Sequence, residues 1–142
     1  PKNSLNRAEA IKIILAANNI IIEDANVDLQ DVAKDAWYRK YIGTAISRGI
    51  VNGYPDQTFK PANTISRAEF LKIAILTAGF KPQNIAENPY KDIDFNAWYA
   101  PYFEFAKQKH LLEVSNNQAI PAQVITREEA ADVIYKLSRL RK

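Results

Sequence analysis

The sequence predicts an all-α protein built from tandem helix-loop-helix repeats, on three observations. A pentad with the features of a helix start occurs three times at equal intervals, beginning at Leu5, Ile65 and Ile125. Apolar residues recur at helical spacing after each pentad. Turn-forming residues, including a Pro-Asp pair in the loop 53–59, separate one helix from the next. A fixed period of this length is typical of a repeat protein, and the pattern leaves little room for a sheet.

Each pentad is predicted to begin an amphipathic helix. Its second residue is a good N-cap, and its fifth residue is a glutamate that completes a capping box. The pairs are Asn6 with Glu9, Ser66 with Glu69, and Thr126 with Glu129. Gly79 is expected just beyond the end of the middle helix, where a left-handed residue often closes a helix.

A second type of helix is predicted after each of the two tryptophans, Trp37 and Trp98. The first of these helices is expected to end at Gly49, because a glycine commonly follows a helix. The second is expected to begin near Pro101, whose fixed φ suits a first helical turn. The repeating unit is therefore a tryptophan helix, a turn-rich loop and a pentad helix.

These spacings divide the 142 residues into three parts of one compact domain. Residues 1–28 are expected to hold the tail of a first repeat and a linker, residues 29–88 a second repeat, and residues 89–142 a third. Within the linker, residues 20–28 have no assigned counterpart and are expected to form a strand or a buried link. Because the sequence begins at Pro1 and contains no methionine, we expect it to be a fragment of a longer protein.

The composition excludes several classes of function. The absence of cysteine and the presence of one histidine, His110, exclude thiol nucleophiles, disulfides and His-cluster metal sites. No nucleophile–base set is found, so no catalysis and no cofactor are expected. The net charge of +3 arises from 19 basic and 16 acidic residues that are mixed along the chain, so a nucleic-acid partner is not expected. No apolar run approaches the roughly 20 residues of a membrane span, so no membrane insertion is expected.

A calcium site is one alternative to this absence of metals. Asp24, Asn26 and Asp28 have the spacing that begins a calcium-binding loop. The sixth position of that loop is Leu29, where the turn needs glycine, so the calcium interpretation is weak.

The unit 29–79 resembles the S-layer homology domain. The resemblance rests on an ordered set of motifs, which are Asp31-Val32, Trp37, Gly49-Ile50, Gly53-Tyr54, Thr58-Phe59 and the pentad at 65–69. The third unit matches this pattern at its two ends, and residues 1–19 match only its tail. The resemblance implies a three-lobed, pseudo-threefold spindle around a central helix bundle.

The resemblance also implies a function. Domains of this family are non-catalytic anchors of bacterial cell-surface proteins, located outside the cell in the wall or the surface layer. Grooves between their lobes bind secondary cell-wall polysaccharide attached to peptidoglycan, often through a pyruvate ketal on an amino sugar. Self-association in a surface layer is a further implied interaction. The alternative is a helical protein–protein interaction or assembly module of a cell-envelope protein that does not bind glycan directly.

The candidate ligand-binding residues lie in the pentads, near the tryptophans and in the loop. They are Arg7, Arg67, Arg127, Asp31, Asp92, Trp37, Trp98, Gly53 and Asp56. A cation at the first helical position is mildly opposed by the helix dipole, so three arginines in register need an anionic partner. That partner is either a carboxylate of a neighbouring unit or an external anion such as a sugar carboxylate. Ligand binding is expected to be firmest at Arg67 and weakest at Arg127.

The tryptophans and aspartates among these candidates have structural alternatives. Trp37 and Trp98 are predicted to be buried anchors, so that Trp37→Ala would cost about 3–5 kcal/mol. A sugar-binding platform is the alternative for both. Asp31 and Asp92 either cap a helix or a turn, or accept a hydrogen bond from a sugar hydroxyl.

The third repeat departs from the pattern in its loop, which lacks the counterparts of Gly49 and Gly53. These glycines are expected to supply a positive φ or a close approach of the backbone. His110 takes the position of Gly49 and is expected to be a helix-end residue, neither a ligand nor a base. We align residues 58–59 with residues 119–120, one residue closer to the pentad. The helices should tolerate these changes, whereas the loop-lined pocket should not.

Overall fold

The computed structural model describes residues 3–140, and within them it contains five α-helices. They are α1 (Arg7–Ala17), α2 (Arg39–Ser47), α3 (Arg67–Thr77), α4 (Ala100–Gln108) and α5 (Arg127–Leu140). Between residues 3 and 140, β-structure is limited to isolated bridges, so the all-α prediction is confirmed. The expectation that concerns Pro1 lies outside the described residues.

The three pentad helices form the centre of the molecule. Helices α1, α3 and α5 contact one another in every pairing, although they are far apart in the sequence. Their inward faces contribute side chains such as Ile11, Leu71 and Val133, none of which is more than 1% exposed. Helix α2 packs on α1, and α4 packs on α3. The predicted central bundle is therefore confirmed, and each tryptophan helix packs on the pentad helix that precedes it in the chain.

The predicted N-cap bond is present at all three pentads, whereas the predicted capping box is complete in α1 but not in α3. The amide of the pentad glutamate donates to the side chain of the N-cap residue at 2.8 Å in α1, 3.2 Å in α3 and 3.1 Å in α5. In α1 the amide of Asn6 also donates to Glu9 Oε1 at 3.0 Å, which completes a capping box. The pentads therefore fix where the three central helices begin.

Helices α2 and α4 end in the same way despite the exchange of glycine for histidine. The residue after each C-cap is left-handed, with φ of 72° at Gly49 and 56° at His110. The following amide donates back to the helix at 2.8 Å in α2 and 2.9 Å in α4, which satisfies a terminal carbonyl. His110 is thus confirmed as a helix-end residue, in a conformation that costs a non-glycine residue about 1 kcal/mol.

The alignment of residues 58–59 with residues 119–120 is wrong by one position. The carboxylate of Asp31 accepts the amides of residues 59 and 60, both at 2.7 Å. The carboxylate of Asp92 accepts the amides of residues 119 and 120, at 2.9 and 2.8 Å. Position 119 therefore corresponds to position 59. The separation of these two positions in the sequence equals the interval between the pentads.

The third loop is one residue shorter than the second, and the difference lies in its turn. In the second repeat Gln57, with φ of 63°, is the single left-handed residue of the turn. In the third repeat the amide of Gln118 donates to the carbonyl of Ser115 at 3.1 Å, and the two residues between them, Asn116 and Asn117, both have φ of 56°. This is a two-residue turn of the kind that asparagine tolerates, so the loop is shorter by one residue.

The unassigned segment 20–28 is a link packed across α2. Both the amide and the carbonyl of Glu23 bond to Thr44 Oγ1, at 3.0 and 3.3 Å, and Thr44 is fully buried in α2. The segment forms no regular strand. Neither expectation holds in full, because the segment is a link without a strand but none of residues 20–28 is buried, and Ile21 is 73% exposed.

Candidate functional site

The pentad arginines join the three units in a closed ring. Each arginine pairs with the pentad glutamate of the next unit, and the third pairs with that of the first. The pairs are Arg7 with Glu69, Arg67 with Glu129 at 2.8 Å, and Arg127 with Glu9 at 2.6 Å. Of the two partners considered for these arginines, the structure shows the carboxylate of a neighbouring unit.

Backbone hydrogen bonds follow the same ring. The amide of each arginine donates to a carbonyl of the neighbouring unit, with Arg7 bonding Asn63 at 2.8 Å and Arg67 bonding Gln123 at 2.8 Å. The amide of Arg127 closes the ring at Asn3, at 2.6 Å. The first N–H of each central helix is thereby occupied, so these helix starts do not present it to an external anion.

The three arginines differ greatly in burial. The side chain of Arg7 is 6% exposed, that of Arg67 is 13% exposed and that of Arg127 is 52% exposed. Arg7 Nε donates to the carbonyl of Phe59 at 3.0 Å, and its guanidinium lies 4.6 Å from the Phe59 ring centroid and 5.1 Å from that of Tyr54. Arg7 is therefore the most enclosed member of the ring.

The pair of Arg127 with Glu9, which closes the ring, is expected to make the stability of the fold depend on pH in acid. The hydrogen bond from the Asn6 amide and the interaction with Arg127 hold the pKa of Glu9 below its ordinary value of 4.5. A carboxyl with a lowered folded-state pKa stabilises the fold fully above the unfolded-state value, and this contribution is lost as the pH falls. We expect the melting temperature to decrease below about pH 4.5, and Glu9→Gln to reduce that dependence. An identical decrease between pH 6 and pH 3 in both proteins, measured by circular dichroism, would contradict this prediction.

A cleft of about 440 Å³ is formed mainly by the second unit, with one residue from each of the other two units. One wall is the loop 49–55, and the other is the exposed face of α3 with Glu69 and Lys72. Arg7 lies at one side of the cleft, and Trp98, which precedes α4, lies at the other. Residues from three parts of the chain thus form one concave surface, as ligand sites usually require.

Both tryptophans are exposed, so the prediction that they are buried anchors is wrong. Trp37 is 53% exposed and Trp98 is 54% exposed. Each lies beside a lysine of the preceding pentad helix, with 5.4 Å from Lys12 Nζ to the Trp37 ring centroid and 5.4 Å from Lys72 Nζ to that of Trp98. The large aromatic side chains that are fully buried are instead phenylalanines, namely Phe59, Phe70 and Phe103.

The candidate residues of the loop maintain its shape. Gly53 is packed so closely that an added Cβ would lie 2.6 Å from a methyl group of Leu29. Asp56 accepts bonds from the amide and the hydroxyl of Thr58, at 3.1 and 2.6 Å, and these bonds, led by that of the hydroxyl, lower the pKa of Asp56. Asp31 and Asp92 hold the loop amides described above, which agrees with their turn-capping alternative.

The structure places three of the candidates, Arg7, Gly53 and Trp98, in the lining of the cleft. The other candidates do not line it; they are Arg67, Arg127, Asp31, Asp56, Asp92 and Trp37. Lys72, which contributes a cationic group to the cleft, is not among the residues predicted from the sequence. Its signal was available, because Lys12 and Lys72 are related by the same interval as the pentads that precede them.

Among residues 3–140, no group of three or more acidic, histidine or cysteine side chains is placed to hold a metal ion. Within the same residues, no helix has the length and apolar character needed to cross a membrane.

Comparison with known proteins identifies the repeat. Residues 30–71 match the S-layer homology domain family. The chain is 31% identical over 99 residues to endo-1,4-beta-xylanase A of Thermoanaerobacterium saccharolyticum, and 35% identical over 75 residues to the cellulosome-anchoring protein of Acetivibrio thermocellus. It is 28% identical over 83 residues to the surface layer protein of Brevibacillus choshinensis.

The matches cover much of this chain and little of each relative. They cover 70%, 53% and 56% of the chain, but 8%, 17% and 7% of the three relatives. The shared segment is therefore one module of proteins that otherwise differ, found in an enzyme, an anchoring protein and a surface layer protein alike. With the repeated pentads, the helical architecture and the family match in agreement, the chain belongs to the S-layer homology domain family.

Proposed function

We propose that this chain is a non-catalytic module that anchors its parent protein to the bacterial cell wall by binding an accessory polysaccharide in the cleft that Trp98 lines. The observation that carries the proposal is the exposed indole of Trp98 beside Lys72 in a cleft to which all three units contribute. The parent protein would then be held outside the cell, in the wall or the surface layer. The units 1–28, 29–88 and 89–142 would act as one domain.

The chemistry of the cleft suits a sugar with an anionic substituent. The apolar C–H face of a sugar ring packs well on an exposed indole, which supplies a large apolar surface. The ammonium of Lys72 supplies a charge for a carboxylate such as a pyruvate ketal. The loop 49–55 brings backbone groups within reach of sugar hydroxyls. Arg7 and Glu69 also line the cleft, and as an ion pair they add no net charge to it.

Support for a non-catalytic role comes from the distribution of the module. The same segment is shared by an endo-1,4-beta-xylanase, which is named for a reaction, and by a surface layer protein, which is named for its location. A module shared by such different proteins fits a common location better than a common reaction. The alternative, a protein-binding assembly module, would also fit this distribution.

Sedimentation with purified bacterial cell-wall sacculi separates the two functions. We expect the chain to sediment with native sacculi and to remain in solution with sacculi from which the accessory polysaccharide has been removed. Re-adding the released polysaccharide in soluble form should compete for binding. Equal sedimentation with both kinds of sacculi would contradict glycan recognition and favour a protein or peptidoglycan partner.

A further inference from the structure

A second cavity adjoins the cleft, and the side chain of Trp98 lines both of them. The volume of this second cavity is about 240 Å³. We call it the Phe95 pocket, and its lining also includes Asn84, Ile85, Phe95, Asn96 and Pro101. Because one indole belongs to both cavities, a ligand that packs on Trp98 can extend from the cleft into the pocket.

The Phe95 pocket has the chemistry of a site for an uncharged sugar. Among residues 3–140, those that line the pocket are all uncharged. The ring of Phe95 is 39% exposed and offers an apolar surface to the C–H face of a sugar. The side chains of Asn84 and Asn96 are exposed too, and each carboxamide can both donate to and accept from a sugar hydroxyl.

Hydrogen bonds hold the loop that carries Phe95 in place. The amide of Phe95 donates to Asn88 Oδ1 at 2.8 Å, and the amide of Asn96 donates to Asp94 Oδ1 at 2.7 Å. The opposite wall of the pocket includes Pro101, which lies in the first turn of α4. Both walls are therefore ordered before a ligand arrives, which reduces the entropy lost on binding.

The surroundings of the other tryptophan differ at the corresponding position. The residue three places before Trp98 is Phe95, whereas the residue three places before Trp37 is Lys34. Both side chains are exposed, but that of Lys34 has a charge and no ring. Lys34 is therefore a matched control for Phe95.

We infer that the Phe95 pocket binds an uncharged sugar that adjoins the anionic one, so that the chain recognises a polysaccharide segment longer than one sugar. This inference rests on the proposed function and adds a second subsite to it. Lys72 gives the cleft a positive charge, and the pocket has none. The anionic sugar is therefore assigned to the cleft, and its uncharged neighbour is assigned to the pocket beyond Trp98.

Titration calorimetry with soluble accessory polysaccharide, hydrolysed and separated by length, tests this inference. The two probes are the single anionic sugar and longer fragments in which that sugar is joined to uncharged ones. We expect the wild type to bind the longer fragments about tenfold more tightly, as is usual for one additional well-packed aromatic contact. Phe95→Ala should lose this preference and keep its affinity for the single sugar within about twofold. Lys34→Ala should retain the preference.

The inference and the proposed function fail in different ways. Equal affinity of the wild type for both probes would overturn the inference and leave the proposed function intact. The same holds if Phe95→Ala, shown by melting curves to be folded, keeps the full preference for longer fragments, or if Lys34→Ala loses that preference equally. Failure of the folded wild type to bind either probe would instead overturn the proposed function itself.

Discussion

Arg7→Ala is expected to lower the free energy of unfolding by about 2 kcal/mol, because it removes a buried hydrogen bond and the packing of a nearly buried side chain, whereas its ion-pair partner Glu69 is 37% exposed and contributes less. The side chain of Arg7 is 6% exposed, and its loss leaves Glu69 and the carbonyl of Phe59 without their partner groups. It also removes a planar group that packs near the rings of Phe59 and Tyr54. Urea denaturation followed by circular dichroism measures the change.

The chain contains its own controls for this prediction. Arg127 occupies the same pentad position and pairs with Glu9, but its side chain is 52% exposed. Arg127→Ala should therefore cost only about 0–1 kcal/mol, as is usual for exposed pairs. Arg67, at 13% exposure, should give an intermediate value. Equal costs at all three positions would show that burial does not determine how much each arginine contributes to the free energy of unfolding.

Trp98→Ala is expected to weaken polysaccharide binding by roughly 30-fold or more while leaving the melting temperature nearly unchanged. Removal of a central aromatic anchor from a binding site costs about 2 kcal/mol or more, which corresponds to that loss of affinity. Because about half of the indole is already exposed, its removal leaves no large cavity in the core. Calorimetric titration with soluble polysaccharide, together with thermal melts, measures both quantities.

Trp37→Ala is the matched control for Trp98→Ala. The two indoles have nearly equal exposure, each lies 5.4 Å from a lysine, and each makes an edge contact with the tyrosine that follows it. Trp98 lines the cleft and Trp37 does not. Affinity in Trp37→Ala should remain within about threefold of the wild type. Equal losses in both variants would contradict the assignment of binding to the cleft that Trp98 lines.

The fold was predictable because its determinants are local and repeated. The caps at Asn6, Ser66 and Thr126 and the apolar spacing after them depend on residues close in sequence, and the structure has helices where they indicate. The one-residue error in the third loop arose because the Asn116-Asn117 turn shortens the loop without changing the interval between the pentads around it. A sequence reveals such a deletion only if the turn type is recognised.

The candidate site was predictable only in part, because its parts are brought together by contacts between units. The repeated arginine indicated an anionic partner, but the residues alone did not decide between Glu69 and an external ligand. Trp98 was assigned to the core because aromatic residues beside an amphipathic run are commonly buried. Its exposure depends on how α4 packs against α3, which is a tertiary property, and so does the place of Lys72 in the cleft.

The closed ring distinguishes this chain from repeat proteins that stack in an open row. In an open array each repeat contacts only its neighbours, so folding can begin anywhere and end repeats can unfold separately. Here the pairing of Arg127 with Glu9 joins residues 118 positions apart, so the last unit is also a neighbour of the first. Each unit therefore has two neighbours, and none can unfold without breaking its contacts with both of them. The chain should accordingly unfold in one calorimetric transition, with equal calorimetric and van't Hoff enthalpies, whereas separate transitions would mean that the ring does not couple its units.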